Sequence, residues 1–519
     1  MIFSDFSDFV HSPFPVIGSV VLAASIFVYV LCYLRSPLHK LPYPPGPPEK
    51  GLISGNQSDL PPSQPYLTYL EWGKKYGDVI HYRTYSKHTI VLNAYDDNVE
   101  LLDKRSLIYS DRPYLAMMDL MGWLDFNHAF MHYGTKWRSH RRIFQQFFRL
   151  EVASKYQPTQ AKKNLDLLYG LLTTPEDFIK HYRTLAAAII MSITYGHDVT
   201  PKNDHFVDLA ENAMSHMSGG FAFIDSLFHS FPIICHLPAF LPGLGFKRFA
   251  LEGKRSVLDM LNIPLGIVQS KMKDGTAADC VAADLLESCQ SDEQRDAIAG
   301  VIATAYAAGS DTTVSSIGTF FHAMTLFPDI QQRAKQEIDA VVGCEQLITY
   351  KDRLLLPYVE AVFREILRWR PVVPLSISHA STSDDVYNGY YIPKEIVTNV
   401  WAIAHNPEKY PEPETFDPSR FLDENGHLND DNVGYVFGFG RRICPGRHLA
   451  SDSVWLTIAT VLQNFDIQKK RDSNGKEIPI SGEYSDGLIA HPVPFECTIT
   501  PRSTASRDLI LEAVGKFST

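Results

Sequence analysis

The stretch FGFGRRICPG, Phe437 to Gly446, constrains the fold of this chain more than any other. Gly438, Gly440 and Gly446 let the backbone turn tightly and approach a flat, bulky partner, while Pro445 stiffens the chain just beyond the lone cysteine, Cys444. Neighbouring arginines, here Arg441 and Arg442, lower a thiol pKa and can pair with acid groups. Backbone N–H groups after Pro445 can hydrogen-bond a thiolate and tune it. The pattern describes a loop cradling a planar cofactor, but a disulfide, a zinc site or a catalytic nucleophile could each also use a cysteine.

The other cysteines narrow the choice. There are seven in all, an odd number, and none is arranged as C-x-x-C, so neither a disulfide framework nor a zinc ribbon is indicated. The main body is expected to face a reducing compartment. A nucleophilic cysteine would need a histidine base, and His448 is the only one nearby in sequence. A formal charge of -11 argues against general nucleic-acid binding, which depends on a basic surface.

From Pro15 to Leu34 the chain runs PVIGSVVLAASIFVYVLCYL without a charge, long enough as a helix to cross a bilayer. Asp5 and Asp8 precede this run, and Arg35, His39 and Lys40 follow it, unlike the basic start of a cleaved signal peptide. The basic excess places the C-terminal side in the cytoplasm. The expected organisation is a lumenal N-terminus (1–14), a transmembrane anchor (15–34), a basic, proline-rich hinge (35–50) containing LPYPPGPP, a catalytic domain (51–502) and a polar tail (503–519). The sequon at Asn56 to Ser58 should stay unmodified on the cytosolic side.

Within the body, helical periodicity dominates. The longest helix is expected from Ser291, where S-D-E-Q resembles a capping box, to Phe327 before Pro328. Its first half, AIAGVIATAYAAG, is apolar, but Ser310, Asp311, Thr312 and Thr313 interrupt it too early for a membrane span. A buried core helix fits better. Short β-prone runs at His88 to Tyr95 and Asn388 to Val400 complete a mainly α (α+β) body with small sheets.

Taken with its order along the chain, F-x-x-G-x-R-x-C-x-G, filled by Phe437, Gly440, Arg442, Cys444 and Gly446, resembles the heme-thiolate signature of the cytochrome P-450 monooxygenases. YLTYLEWGKKYGDV and AHPVPFECTITPR look like fungal microsomal members. The resemblance implies the cytochrome P-450 fold and heme b with Cys444 as axial thiolate ligand, pushing electron density onto the iron to favour O–O cleavage. AGSDTT (Ala308 to Thr313) resembles the oxygen-activation motif, with Gly309 leaving room beside the iron and Asp311 and Thr312 relaying protons. Glu365 and Arg368 in VEAVFREILRWRP, with Arg420 in FDPSRF, resemble a buried structural network. Trp137 and Arg141 resemble the helix that meets a heme propionate, and His379 stands where many relatives carry an arginine on a propionate.

Candidate substrate-pocket walls are Thr304, Ala305 and Ala308 on the long helix, Val373 and Ile377 within Val372 to Ser378, Leu488 in the turn Gly487 to Ile489, and the loop Leu115 to Phe126. The reading implied is an endoplasmic-reticulum, single-pass monooxygenase with its catalytic domain in the cytosol. It would take electrons from an NADPH-dependent cytochrome P-450 reductase and oxidise a lipophilic small molecule, such as a terpenoid or a polycyclic aromatic or stilbene-like xenobiotic. A heme-thiolate isomerase or dehydratase would need no proton relay, so Asp311 and Thr312 argue against it. A membrane-tethered heme sensor should carry an effector extension, and none is visible after Pro501.

Overall fold

The computed structural model describes residues 41–200, 204–218, 230 and 244–518. The expected anchor at 15–34 lies outside them, and among the described residues no helix is long and apolar enough to cross a membrane. The elements that build the site are, in chain order, the hairpin β1 (Val79–Thr84) and β2 (Lys87–Leu92), then the helices α1 (Thr135–Phe148), α2 (Gln157–Thr173), α3 (Phe178–Tyr195) and α4 (His205–Ser215). They are followed by the long helix α5 (Asp292–Leu326) and by α6 (Pro357–Trp369). Next come the short strands β3 (His379–Ala380), β4 (Asp385–Tyr387), β5 (Tyr390–Ile392) and β6 (Glu395–Thr398). The chain closes with α7 (Arg447–Asn464), β7 (Phe465–Lys469), β8 (Cys497–Pro501) and α8 (Thr504–Ser518).

The axis of the molecule is α5, which is buried from Ile298 to Ala307 and again from Thr313 to Thr325. A helix apolar on all sides must be enclosed, and α1, α3, α6 and α7 pack around it. At its start the Ser291 hydroxyl accepts the Gln294 N–H at 3.2 Å, but the Gln294 side chain accepts from Gln290 N–H rather than from the cap residue, so the expected box is displaced by one residue. At its end Phe327 leaves the helical region because the following Pro328 crowds it there, and the next helix begins at that proline.

The two expected β runs are shorter than their composition. β2 ends at Leu92, and Pro393, which has no N–H for a ladder, divides the second run into β5 and β6. The main sheet has the order β1-β2-β6-β3. β2 runs parallel to β6, with Val91 beside Val397, and β3 runs antiparallel to it, with His379 beside Ile396. A mutual backbone pair between Asp111 and Ala380 then lashes the loop carrying Arg112 onto β3.

One contiguous apolar core extends from Ile90 to Ile510, with Phe320, Phe321 and Trp455 fully enclosed. The expected polar tail is instead helix α8, which packs on α2 and buries Ile510 completely. Asn56 is also enclosed: its amide donates to the Pro47 and Pro48 carbonyls at 3.1 Å each and its oxygen accepts the Arg83 N–H at 3.1 Å. The folded sequon therefore offers no amide for modification.

Candidate functional site

Cys444 lies in a loop shaped by close backbone contact. Gly440 (φ 55°) rests on the turn Val99–Lys104 so tightly that a Cβ would stand 2.0 Å from the Leu102 carbonyl oxygen. Its N–H donates to the Asp103 carboxylate. The Cys444 N–H reaches back to the Phe437 carbonyl at 2.8 Å, which folds the loop around the thiol. Burial pushes the Cys444 thiol up, opposed by the backbone N–H groups of Gly446 and Arg447 and by the charges of Arg141 and Arg447. A metal cation on the sulfur would reverse that balance, since a coordinating thiol is deprotonated outright. Cys497 has no such surroundings: it sits in the β7–β8 ladder opposite Lys469, and burial pushes its thiol up to about 12.

Three arginines converge around this loop with only neutral partners. Arg442 donates to the carbonyls of Ser110 (2.7 Å), His128 (3.1 Å) and Met131 (2.7 Å), and stacks its guanidinium 4.5 Å from the Trp137 ring centre. Arg112, from the strand-lashed loop, donates to the carbonyls of Ala129 (2.8 Å), Ile377 (2.6 Å) and Ser378 (2.9 Å). Arg141 on α1 donates to the Ile443 carbonyl at 2.7 Å. Burial lowers Arg442 to about 9 and Arg141 to about 10, and pushes Arg112 well below its usual value with Arg442 adding to the effect. A guanidinium does not give up its proton in proteins, so these groups need a nearby anion instead. Among the described residues none of the three has a carboxylate within ion-pair distance.

Two further polar atoms are left open at the same place. Trp137 Nε1 and His128 Nδ1 are buried without a hydrogen-bond partner among the described residues, and the two rings stack 4.9 Å apart. His379 is buried beside Arg112 and Arg442, with Nδ1 2.8 Å from the Tyr109 carbonyl, and burial holds it neutral. Buried donors of this kind normally have an acceptor. The group that completes this cradle must therefore be anionic and rich in acceptors.

On α5 the enclosure breaks at one point. Ala308 is exposed and Gly309 to Thr312 are half-buried, although the helix is sealed on either side. Thr312 Oγ1 donates back to the Ala308 carbonyl at 2.7 Å. Gly309 does not face the opening: a Cβ there would meet Ile190 of α3 at 3.2 Å, so its lack of a side chain serves helix packing. Thr304 is likewise turned away, buried with its hydroxyl donating to the Gly300 carbonyl and accepting the His128 N–H. Ala305 is buried, while Val373, Ile377 and Leu488 are half-buried.

Behind the loop, Glu365 and Arg368 on α6 are completely buried and joined by two hydrogen bonds of 2.6 and 2.8 Å. Arg420 Nε adds a third at 3.2 Å, and the Asp417 N–H a fourth at 2.8 Å. Arg364 on the same helix donates to the Asn429 and Asp431 carbonyls, and Tyr410 bonds both Asp431 and Tyr435. The network thus reaches the turn Gly434–Phe437 that leads into the cysteine loop.

Comparison with known proteins places this arrangement. Residues 44–499 match the family model described as Cytochrome P450. The chain belongs to the cytochrome P450 family. Cytochrome P450 monooxygenase COX1 from Coprinopsis cinerea is 37% identical over 506 residues, covering 93% of this chain and 97% of the relative. A cytochrome P450 monooxygenase from Armillaria gallica is 38% identical over 504 residues, covering 95% and 98%. Cytochrome P450 monooxygenase claR from Ampulloclitocybe clavipes is 37% identical over 478 residues, covering 90% and 88%. The chain is an enzyme of this monooxygenase class, and P450 proteins bind heme b through an axial cysteine thiolate.

The residues present fit that group. A P450 heme brings a propionate pair and a thiolate-bound iron, and the cradle offers two buried arginines, the half-buried Arg141, the unpartnered Trp137 N–H and an open His128 ring nitrogen beside a cysteine. Arg112 and His128 are members of this cradle that sequence reasoning missed. No motif marks them, because they come together only through the Asp111–Ala380 backbone pair and the stacking of His128 on Trp137.

Proposed function

We propose that this P450 inserts one oxygen atom into a lipophilic small molecule of the terpenoid, polycyclic aromatic or stilbene-like classes, with electrons from an NADPH-dependent reductase. The observation that carries this reading is the pairing of two features: an electropositive cradle around Cys444 and an opening on the apolar central helix at Ala308. When bound, the heme supplies the oxygen-activating centre. Cys444 would supply the thiolate to its iron, and Arg112, Arg141, Arg442 and the Trp137 indole would hold the propionates, with neutral His379 alongside.

The remaining steps belong to the chain. Ala308, Val373, Ile377 and Leu488 bind and orient an apolar substrate and exclude water by their hydrocarbon surface. Asp311 and Thr312 hold and deliver protons on the substrate side. To do so the Thr312 hydroxyl must exchange its bond to the Ala308 carbonyl for one to the oxygen substrate, a rotation about one side-chain bond. Lys136, Arg138 and Arg142 are exposed on α1, as is Arg441 in the cysteine loop, and together they form the proposed reductase surface. The stretch 15–34 is the proposed membrane anchor, holding enzyme and reductase on one endoplasmic-reticulum surface with the catalytic domain in the cytosol.

The test is a panel of farnesol, phenanthrene and trans-stilbene scored for heme spin-state change, followed by turnover with reductase under isotopically labelled dioxygen. One labelled oxygen in the product supports the proposal. Rearranged or dehydrated product without label refutes it.

A further inference from the structure

The C-terminal turn is tied to the acid of the central helix. His491 Nε2 lies 3.2 Å from Asp311 Oδ1, with both side chains partly accessible to solvent. The position of the imidazole is set by backbone bonds on either side of it. Ser315 Oγ on α5 donates to the Ala490 carbonyl at 2.5 Å, and the Ala490 N–H donates to the Val372 carbonyl at 2.9 Å. The His491 N–H donates to Ser485 Oγ at 3.0 Å, and the Ser485 N–H returns to the His491 carbonyl at 2.7 Å. Pro492 then seats against α5, where a Cβ on Gly318 would meet it at 3.1 Å.

This clamp joins two parts of the proposed site. Leu488 lies three residues before His491, and Val373 directly follows the residue that receives the Ala490 N–H, so both candidate substrate walls share one hydrogen-bonded unit with the histidine. Asp311 also borders a small cleft with Arg183, Glu211, Tyr306 and Ser310. Its Oδ1 is engaged by His491, while Oδ2 has no partner among the described residues. Thr312, one residue on, is turned back onto its own helix.

We propose that His491 is a positioning residue: it holds one oxygen of Asp311 so that the other faces water in the cleft, and it links the substrate-contacting turn to proton delivery. The inference rests on the relay reading of Asp311 and Thr312 given above. Holding one carboxylate oxygen 3.2 Å from a fixed imidazole restricts a rotation that the acid would otherwise have to lose at each turnover. A substrate that presses on Leu488 moves the backbone unit that carries His491, and so reaches Asp311 without touching it.

The test uses the full-length holoenzyme with its reductase and the compound among farnesol, phenanthrene and trans-stilbene that gives the largest spin shift. H491A should keep its heme and a spectral Kd close to the parent. It should lose roughly tenfold in product per NADPH, the effect typical of removing an orienting partner. Its peroxide yield and solvent isotope effect should rise, and hydrogen exchange in 484–492 should quicken, a readout that needs no turnover. H491Q, whose amide N–H can reach the same carboxylate oxygen, should recover most of the coupling. The double variant D311N/H491A should be no less coupled than D311N alone, because both changes remove one link. H491A as well coupled as the parent, beside an uncoupled D311N, overturns the positioning role alone. D311N as well coupled as the parent overturns the relay reading and this inference with it.

Discussion

Removing the Glu365 carboxylate should unfold the region that presents Cys444. Arg368 is completely buried, and once Glu365 is gone its partners are the neutral carbonyls of Ala404 at 2.8 Å and Thr415 at 3.4 Å. Stranding a buried charge in this way costs about 3–5 kcal/mol. That is a large share of the roughly 5–15 kcal/mol by which a folded protein is stable. Burial pushes the Glu365 carboxyl up, opposed by the hydrogen bond and charge of Arg368. Arg420 is more dispensable: its loss removes one bond of 3.2 Å to Glu365 and leaves the Glu365–Arg368 pair intact, at about 1–2 kcal/mol.

E365L should therefore be the most damaging single change and R420A the mildest, with R368M between them because Glu365 would keep Arg420 and the Asp417 N–H. The double variant E365L/R368M should be more stable than E365L alone, since it leaves no Arg368 charge to strand. Urea titration followed by tryptophan fluorescence, together with heme content per purified protein, reads the series. If E365L unfolds at the same urea concentration as R420A, the buried-charge reasoning is wrong.

T312A should retain heme and substrate binding but divert reducing equivalents to hydrogen peroxide; unchanged product per NADPH would remove Thr312 from the relay. Reversing Arg138 and Arg142 to glutamate should slow first-electron reduction, most strongly at low salt, and spare turnover driven by a peroxide surrogate. Stopped-flow reduction at the parental rate and salt dependence would place the donor elsewhere. R112L should lower heme retention on a gel-filtration column and leave the apoprotein's own unfolding midpoint unchanged or raised, because the arginine's burial is costly without an anion. A lowered apoprotein midpoint would instead make Arg112 structural.

Much of the site was legible because its chemistry is local in sequence. The cysteine loop needs its glycines and arginines within ten residues, Asp311 and Thr312 are adjacent, and Glu365 and Arg368 lie one helical turn apart. What escaped was assembled by tertiary contact. Arg112 and His128 enter the cradle through a backbone pair and a ring stack, and His491 meets Asp311 only because the C-terminal turn folds over α5. Gly309 packs against Ile190 rather than beside the opening for a related reason: a glycine's sequence context does not say which side of its helix is crowded. Helix α8 carries its signal in Leu509, Ile510, Ala513 and Val514, which recur at helical spacing behind Ser503, whose hydroxyl accepts the Ser506 N–H at 3.0 Å. The polar residues around them mask that periodicity.

The central claim is that Cys444 holds the heme iron. The carbon monoxide difference spectrum of the reduced protein tests it most directly, measured on the parent, C444S and C497S. The parent and C497S should show the red-shifted Soret band of a thiolate-ligated heme, and C444S should lose it. A red-shifted band that survives in C444S, or vanishes in C497S, would contradict the assignment.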